Sequence, residues 1–218
     1  MNVDETPAAQ AELARLGVPL VPAVAVGDRA VHGWNPEGYA RLLGVPYQRP
    51  ARLAPAELGA RLDRVLGTAI ALLAALPDAA LDFTPPERER RLGDLAYHLF
   101  RVAASCPDAL EQGALPEAWF QEIRPRSLGT AADLAAWAGA VRERVRRWLA
   151  AAPPETWERV VAVYYGPQGA HELLERTTWH AAQHLRQLYD LVDRLGIEPP
   201  EPLPADALAG LPLPEAVW

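Results

Sequence analysis

The sequence predicts a mainly α protein: a four-helix bundle preceded by a small α/β segment. Three observations predict it. After residue 50, four stretches carry apolar residues at steps of three and four, the repeat of an amphipathic helix. Before residue 50 the pattern changes every few positions, as short helices and strands joined by turns do. The 218 residues hold one cysteine, Cys106, so neither an intramolecular disulfide nor a CxxC pair shapes the fold.

The front segment, residues 1–46, reads as helix, strand, turn, strand, helix. Asp4 to Leu16 is the first helix: Thr6 can cap it, Pro7 suits its first turn and Gly17 stops it. Val21 to Val26 and Arg29 to His32 are short strands around the turn Gly27-Asp28, and Pro36 to Leu43 is a helix ended by Gly44. Residues 47–53 are a linker. In the bundle, residues 54–196, the first helix follows Pro55 and ends at Pro77, with Leu58, Leu62, Val65, Ala69, Leu72 and Leu76 as its stripe. The second runs from Leu92 to about Ser105, limited by Pro107, with Leu92, Leu95, Leu99 and Val102 inward. A long loop from Asp108 to Gly129 carries Trp119 and Phe120. The third spans Thr130 to Ala152, with Leu134, Trp137, Val141, Val145 and Trp148 as its stripe, closed by Pro153-Pro154. The fourth spans Ala170 to Leu195, with Leu173, Thr177, His180, His184, Leu188, Leu191 and Leu195 in one line. Four such helices bury a shared core as a bundle. The tail, residues 197–218, is rich in proline and reads as an extended strap.

Composition excludes several chemistries. All 21 basic residues are Arg, so there is no lysine Schiff base and no P-loop lysine. With 28 acidic residues the net charge is -7, against the basic face of a nucleic-acid binder. No apolar run approaches the length of a membrane span, and the first residues lack a signal peptide's basic and apolar regions. A cytoplasmic protein with no nucleic-acid or membrane partner is expected.

The histidines carry the functional signal. His180 and His184 are four apart on the inward face of the fourth helix, so their Cβ atoms lie roughly 5–6 Å apart. Two buried imidazoles each need a partner for a ring nitrogen and would repel if both were protonated. One divalent cation answers both needs. His98, beside the stripe of the second helix, can supply a third ligand across the bundle. Three His ligands leave positions open, as catalytic sites do. Imidazole suits zinc, nickel or iron as well as copper, and no thiolate is at hand to select among them. Ordinary packing of an HxxxH pair is the competing reading. His171 is out of register and reads as a surface or capping residue, and His32 as a solvated loop residue. Cys106 reads as a structural thiol.

Leu92-Gly-Asp-Leu-Ala-Tyr-His-Leu-Phe-Arg101 and Trp179-His-Ala-Ala-Gln-His-Leu-Arg-Gln-Leu188 resemble the DinB/YfiT family of metal-binding four-helix bundles over about residues 54–196. The family pattern is one His on the second helix, HxxxH on the last and a Gln three residues on. It falls here on His98, His180, His184 and Gln187. The resemblance implies a three-His divalent metal and a small-molecule substrate. It further implies activation of an external low-molecular-weight thiol, of the bacillithiol or mycothiol type, for S-transfer or isomerisation. Gln187, Arg186, Arg101 and Tyr97 are expected to bind substrate or support a ligand, and Tyr164 and Tyr165 to line the mouth of the site or simply to pack. The alternatives are a non-catalytic metal- or ligand-binding stress-response protein and a metal-assisted hydrolase. The hydrolase lacks the base that an HExxH motif provides.

The front segment resembles the second half of a short, NrdH-like glutaredoxin, a partial thioredoxin fold. The likeness lies in Val3 to Gly17, Val21 to Asp28 and His32-Gly-Trp-Asn-Pro36. The resemblance puts Pro22 at the family's cis-proline. The first strand, first helix and CxxC are missing, so thiol-disulfide exchange by this half is not expected. An upstream start codon is one reading of that truncation. A two-stranded sheet is marginal alone, and pairing of its edge with a second copy is expected, hence a homodimer.

Overall fold

In a computed structural model of the chain, residues 6–19, 23–33, 35–48, 51–86 and 88–218 are described. The chain forms two compact units, Met1–Ala51 and Arg52–Trp218.

In the first unit, α1 (Pro7–Arg15) precedes the antiparallel pair β1 (Ala23–Val26) and β2 (Arg29–His32), and α2 (Pro36–Leu43) follows. Register runs from Ala23 opposite His32 to Val26 opposite Arg29. The two-residue turn needs a positive φ at its first position, and Gly27 supplies it at 59°. Thr6 stands at the N-cap of α1, but its side chain makes no cap bond, contrary to expectation. Asn35 does cap α2, accepting from the Gly38 N–H at 2.8 Å. The cis-proline reading of Pro22 lies outside the described residues, as do the first residues of the helix expected from Asp4.

The second unit contains the bundle: α3 (Pro55–Ala75), α4 (Leu92–Gln112), α5 (Ala131–Ala151) and α6 (Ala170–Arg194). Helices α3 and α4 bury the stripe that the three-four spacing marks, and α6 buries most of it. Leu58, Leu62, Val65, Ala69 and Leu72 of α3 are at most 1% exposed. A fully buried Leu contributes roughly 1.5–3 kcal/mol relative to an exposed one, so these stripes dominate the unit's stability. On α5 the inward stripe is only partly enclosed, Trp137, Val141 and Trp148 being half-buried. A capping box starts α5: the Thr130 hydroxyl accepts from the Asp133 N–H, and Asp133 accepts from the Thr130 N–H. Helices α3 and α4 each pack on α5 and on α6 and scarcely meet one another. Successive helices α3 and α4 are therefore diagonal, and α4 and α6 are neighbours.

Three elements differ from expectation. Pro107 does not end the second helix; α4 continues to Gln112 and stops at Gly113, in the left-handed region with φ 77°. A proline inside a helix costs about 3 kcal/mol. Burial of Cys106, Pro107, Ala109 and Leu110 offsets that. The expected loop from Asp108 therefore starts five residues later, and it carries β3 (Ala114–Leu115) and a 3-10 turn at Glu117–Phe120. Before α6 stands an unexpected hairpin, β4 (Val160–Val163) and β5 (Gly166–Gly169), with β3 pairing parallel to β4. β5 is an edge strand, where Pro167 removes no needed donor. The tail is not wholly extended: α7 (Ala205–Leu208) interrupts it. No described helix is long and apolar enough to cross a membrane.

Candidate metal centre

The packing of α4 against α6 brings His98 to His180 and His184. Ring centroids are 5.8 Å apart for His98 and His180, 5.0 Å for His98 and His184, and 4.6 Å for His180 and His184. One nitrogen from each ring lies within 4.8 Å of the other two, and no other group of three such ligands occurs among the described residues. His98 is 7% and His184 8% exposed; His180 is less enclosed.

The donor set is neutral. Burial pushes His98 down to about 3, helped by His184 and Arg90. His184 falls to about 4, chiefly through burial, with its bond to Gln187 acting the other way. His180 lies well below the ordinary imidazole value, again first through burial, then through the other two rings, Arg176 and Arg90. Gln187 Oε1 sits 2.8 Å from His184 Nδ1, while His184 Nε2 is buried without a protein partner. A buried nitrogen in that position needs a partner. Three neutral imidazoles converging with one such nitrogen fit a divalent cation.

Aromatic residues surround the cluster. Phe120, on the 3-10 turn, stands 6.2 Å from both His98 and His180, and Tyr164, in the β4–β5 turn, stands 5.9 Å from Phe120. Trp179 lies 5.7 Å from His180. Arg176 of α6 donates to the Tyr165 hydroxyl at 2.6 Å and the Tyr164 hydroxyl at 3.0 Å, holding the hairpin turn to the helix. Phe120 and Arg90 escaped the sequence reading of the site. Phe120 lay in an apparent loop, and nothing in the spacing of Arg90 ties it to histidines farther along the chain.

The other candidates are placed as follows. Gln187 reaches the cluster, its Oε1 2.8 Å from His184 Nδ1. Arg101 pairs with Asp108 at 3.1 Å and Glu122 at 2.8 Å, with its guanidinium 4.9 Å from the Trp119 ring, pinning the loop to α4. Arg186 donates to the carbonyls of Pro214 and Glu215. Tyr97 stacks on Trp137 at 4.7 Å and donates to Glu122 at 3.3 Å. His171 Nε2 lies 2.8 Å from the Leu53 carbonyl, away from the histidine cluster in a contact that ties α6 to the residues before α3. Cys106 is fully buried and its thiol is pushed up to about 12 by that burial, which disqualifies it as a nucleophile. A groove of about 430 Å³ between α3 and α5, lined in part by Gly59, Asp63, Arg142 and Trp157, contains none of the three histidines.

Comparison with known proteins agrees with the four-helix fold. Residues 61–188, more than half of the chain, match the model of the DinB superfamily. The chain belongs to the DinB superfamily. Two Bacillus subtilis structures are similar. One is the DinB-like protein YjoA, 15% identical, with TM-score 0.55 over 67% of this chain and 96% of that one. The other is YfiT, 14% identical, with TM-score 0.54 over 71% of this chain and 96% of that one. YfiT is described as a probable metal-dependent hydrolase with an unusual four-helix bundle topology. At these identities the likeness is one of fold. No curated protein matches the sequence.

Proposed function

We propose that this DinB-superfamily chain is a divalent-metal enzyme. His98, His180 and His184 hold the ion, and an external low-molecular-weight thiol is the nucleophile of an S-transfer or isomerisation. One observation carries the reading. One nitrogen from each of the three rings lies within 4.8 Å of the other two, and among the described residues the charges acting on them come from the rings themselves and from arginines. A divalent ion bound there supplies Lewis acidity that lowers the pKa of a thiol or water at its open positions. A thiol starts from about 8.5 and water from about 15.7, so a thiol needs far less help than water to ionise at such a site. Arg90 and Arg176 favour the anionic form of whatever binds. Phe120 and Tyr164 offer an aromatic wall for a small electrophile. With Cys106 buried, the thiol comes from outside, of the bacillithiol or mycothiol type.

Metal-assisted hydrolysis is the second reading, favoured by the likeness to YfiT. The two separate in one experiment: metal-loaded protein is given electrophiles with and without a small thiol. Turnover that requires and consumes thiol supports the first reading. Thiol-independent hydrolysis supports the second. Binding without turnover in either arm overturns both and leaves a carrier of metal or ligand.

A further inference from the structure

The residues from Pro214 to Trp218 lie along one face of α6, formed by Gln183, Arg186, Gln187, Asp190 and Arg194. Arg186 donates to the carbonyls of Pro214 at 2.6 Å and Glu215 at 2.9 Å. Gln183 Nε2 donates to the carbonyls of Ala216 at 3.3 Å and Val217 at 2.7 Å. Trp218 Nε1 donates to Asp190 at 2.7 Å, and the Arg194 guanidinium stands 5.8 Å from the Trp218 ring. Gln187 is the point where this strap meets the histidine cluster: its Nε2 donates to the Val217 carbonyl at 3.0 Å, and its Oε1 faces His184 Nδ1 at 2.8 Å.

These two contacts fix each other. A backbone carbonyl can only accept, so the amide nitrogen of Gln187 must face Val217. Its oxygen then faces His184, and that oxygen also can only accept. His184 Nδ1 must therefore carry the proton, which leaves the lone pair on Nε2, the buried nitrogen without a protein partner. An amide released from Val217 can turn over and present its NH2 to Nδ1. That selects the other tautomer, with the lone pair on the wrong side of the ring.

We propose that the strap is a working part of the metal centre: the Val217 carbonyl, anchored by Trp218 on Asp190 and Arg194, fixes the Gln187 amide and so presents His184 Nε2 to the ion. This rests on the reading of the three histidines as a divalent-metal site. Val217 and Trp218 are positioning residues, acting through Gln187. Partners one step removed from a metal typically change its affinity by about 10–100-fold when lost.

The test is a Co²⁺ titration of the full chain, read by the visible absorption of the bound ion and by competition with a chelator. Trp218→Ala and Gln187→Leu are each expected to weaken Co²⁺ binding by roughly tenfold or more. The double variant is expected to bind no more weakly than Gln187→Leu, because the strap acts through that amide. Gln187→Glu, whose two oxygens both accept, is expected to restore binding in the Trp218→Ala background. Circular dichroism of each variant confirms that it folds. Three outcomes overturn the inference while leaving the metal site standing: Trp218→Ala binding like the parent, a Trp218→Ala loss that adds in full to that of Gln187→Leu, or no rescue by Gln187→Glu. A parent chain that takes up no Co²⁺ overturns the metal reading and this inference with it.

Discussion

The imidazoles of His98 and His184 stand 5.0 Å apart, one on α4 and the other on α6. An ion held between them and His180 ties together two helices remote in sequence. Ligand binding to the folded state alone stabilises it by about 2.7 kcal/mol at a hundredfold excess over Kd. Zn²⁺ is accordingly expected to raise the melting temperature of the metal-free protein. His98→Ala and His184→Ala are expected to abolish that rise, measured by calorimetry with and without metal.

The metal-free protein is expected to lose stability as pH falls below about 6.5. The folded-state values of His98, at about 3, and His184, at about 4, lie below the ordinary imidazole value. Between these limits the unfolded chain binds protons that the folded chain refuses. Each such imidazole lowers stability by about 1.4 kcal/mol per pH unit through that window, and the loss levels off below the folded-state values. Above pH 6.5 these groups contribute no pH dependence. Urea unfolding at a series of pH values measures the slope, and His98→Gln should reduce it.

Cys106 is expected to resist thiol reagents in the folded protein and to react only on unfolding, given its complete burial and raised pKa. Cys106→Ala should cost about 1 kcal/mol through lost packing and leave metal content and turnover intact. Rapid labelling under native conditions would contradict the placement of this side chain.

Arg101→Ala is expected to destabilise the protein by about 1–2 kcal/mol, since it removes one of the two arginines paired with Asp108, leaving Arg144, and frees the loop that carries Phe120. Metal affinity measured below the melting transition should change little, because Arg101 touches no ligand. A loss confined to substrate affinity, with stability unchanged, would return Arg101 to the role the sequence assigned it.

The helix stripes were legible because core burial repeats at the helical period: Leu58, Leu62, Val65, Ala69, Leu72 and Leu76, and Leu173, Thr177, His184, Leu188 and Leu191, are inside where the spacing puts them. The histidine cluster was legible for the same reason, since His180 and His184 share a line with buried Leu188. The hairpin was not. Gly166, Pro167 and Gly169 break strand patterns, and β5 forms through pairing with Val160–Val163 that local preference does not encode. Pro107 misled because its local penalty is offset by burial against distant residues. The true partners of Arg101 and Arg186 were beyond reach for a related reason. Arg186 meets backbone carbonyls about 28 residues away, and a carbonyl has no signature in the sequence.

Metal content of the purified protein tests the central claim most directly. One divalent ion per chain is expected, retained through gel filtration at neutral pH and lost in His180→Ala and on acidification, since only neutral imidazoles bind it. A parent chain that purifies without metal and gains no thermal stability from added zinc, nickel or iron would contradict the account.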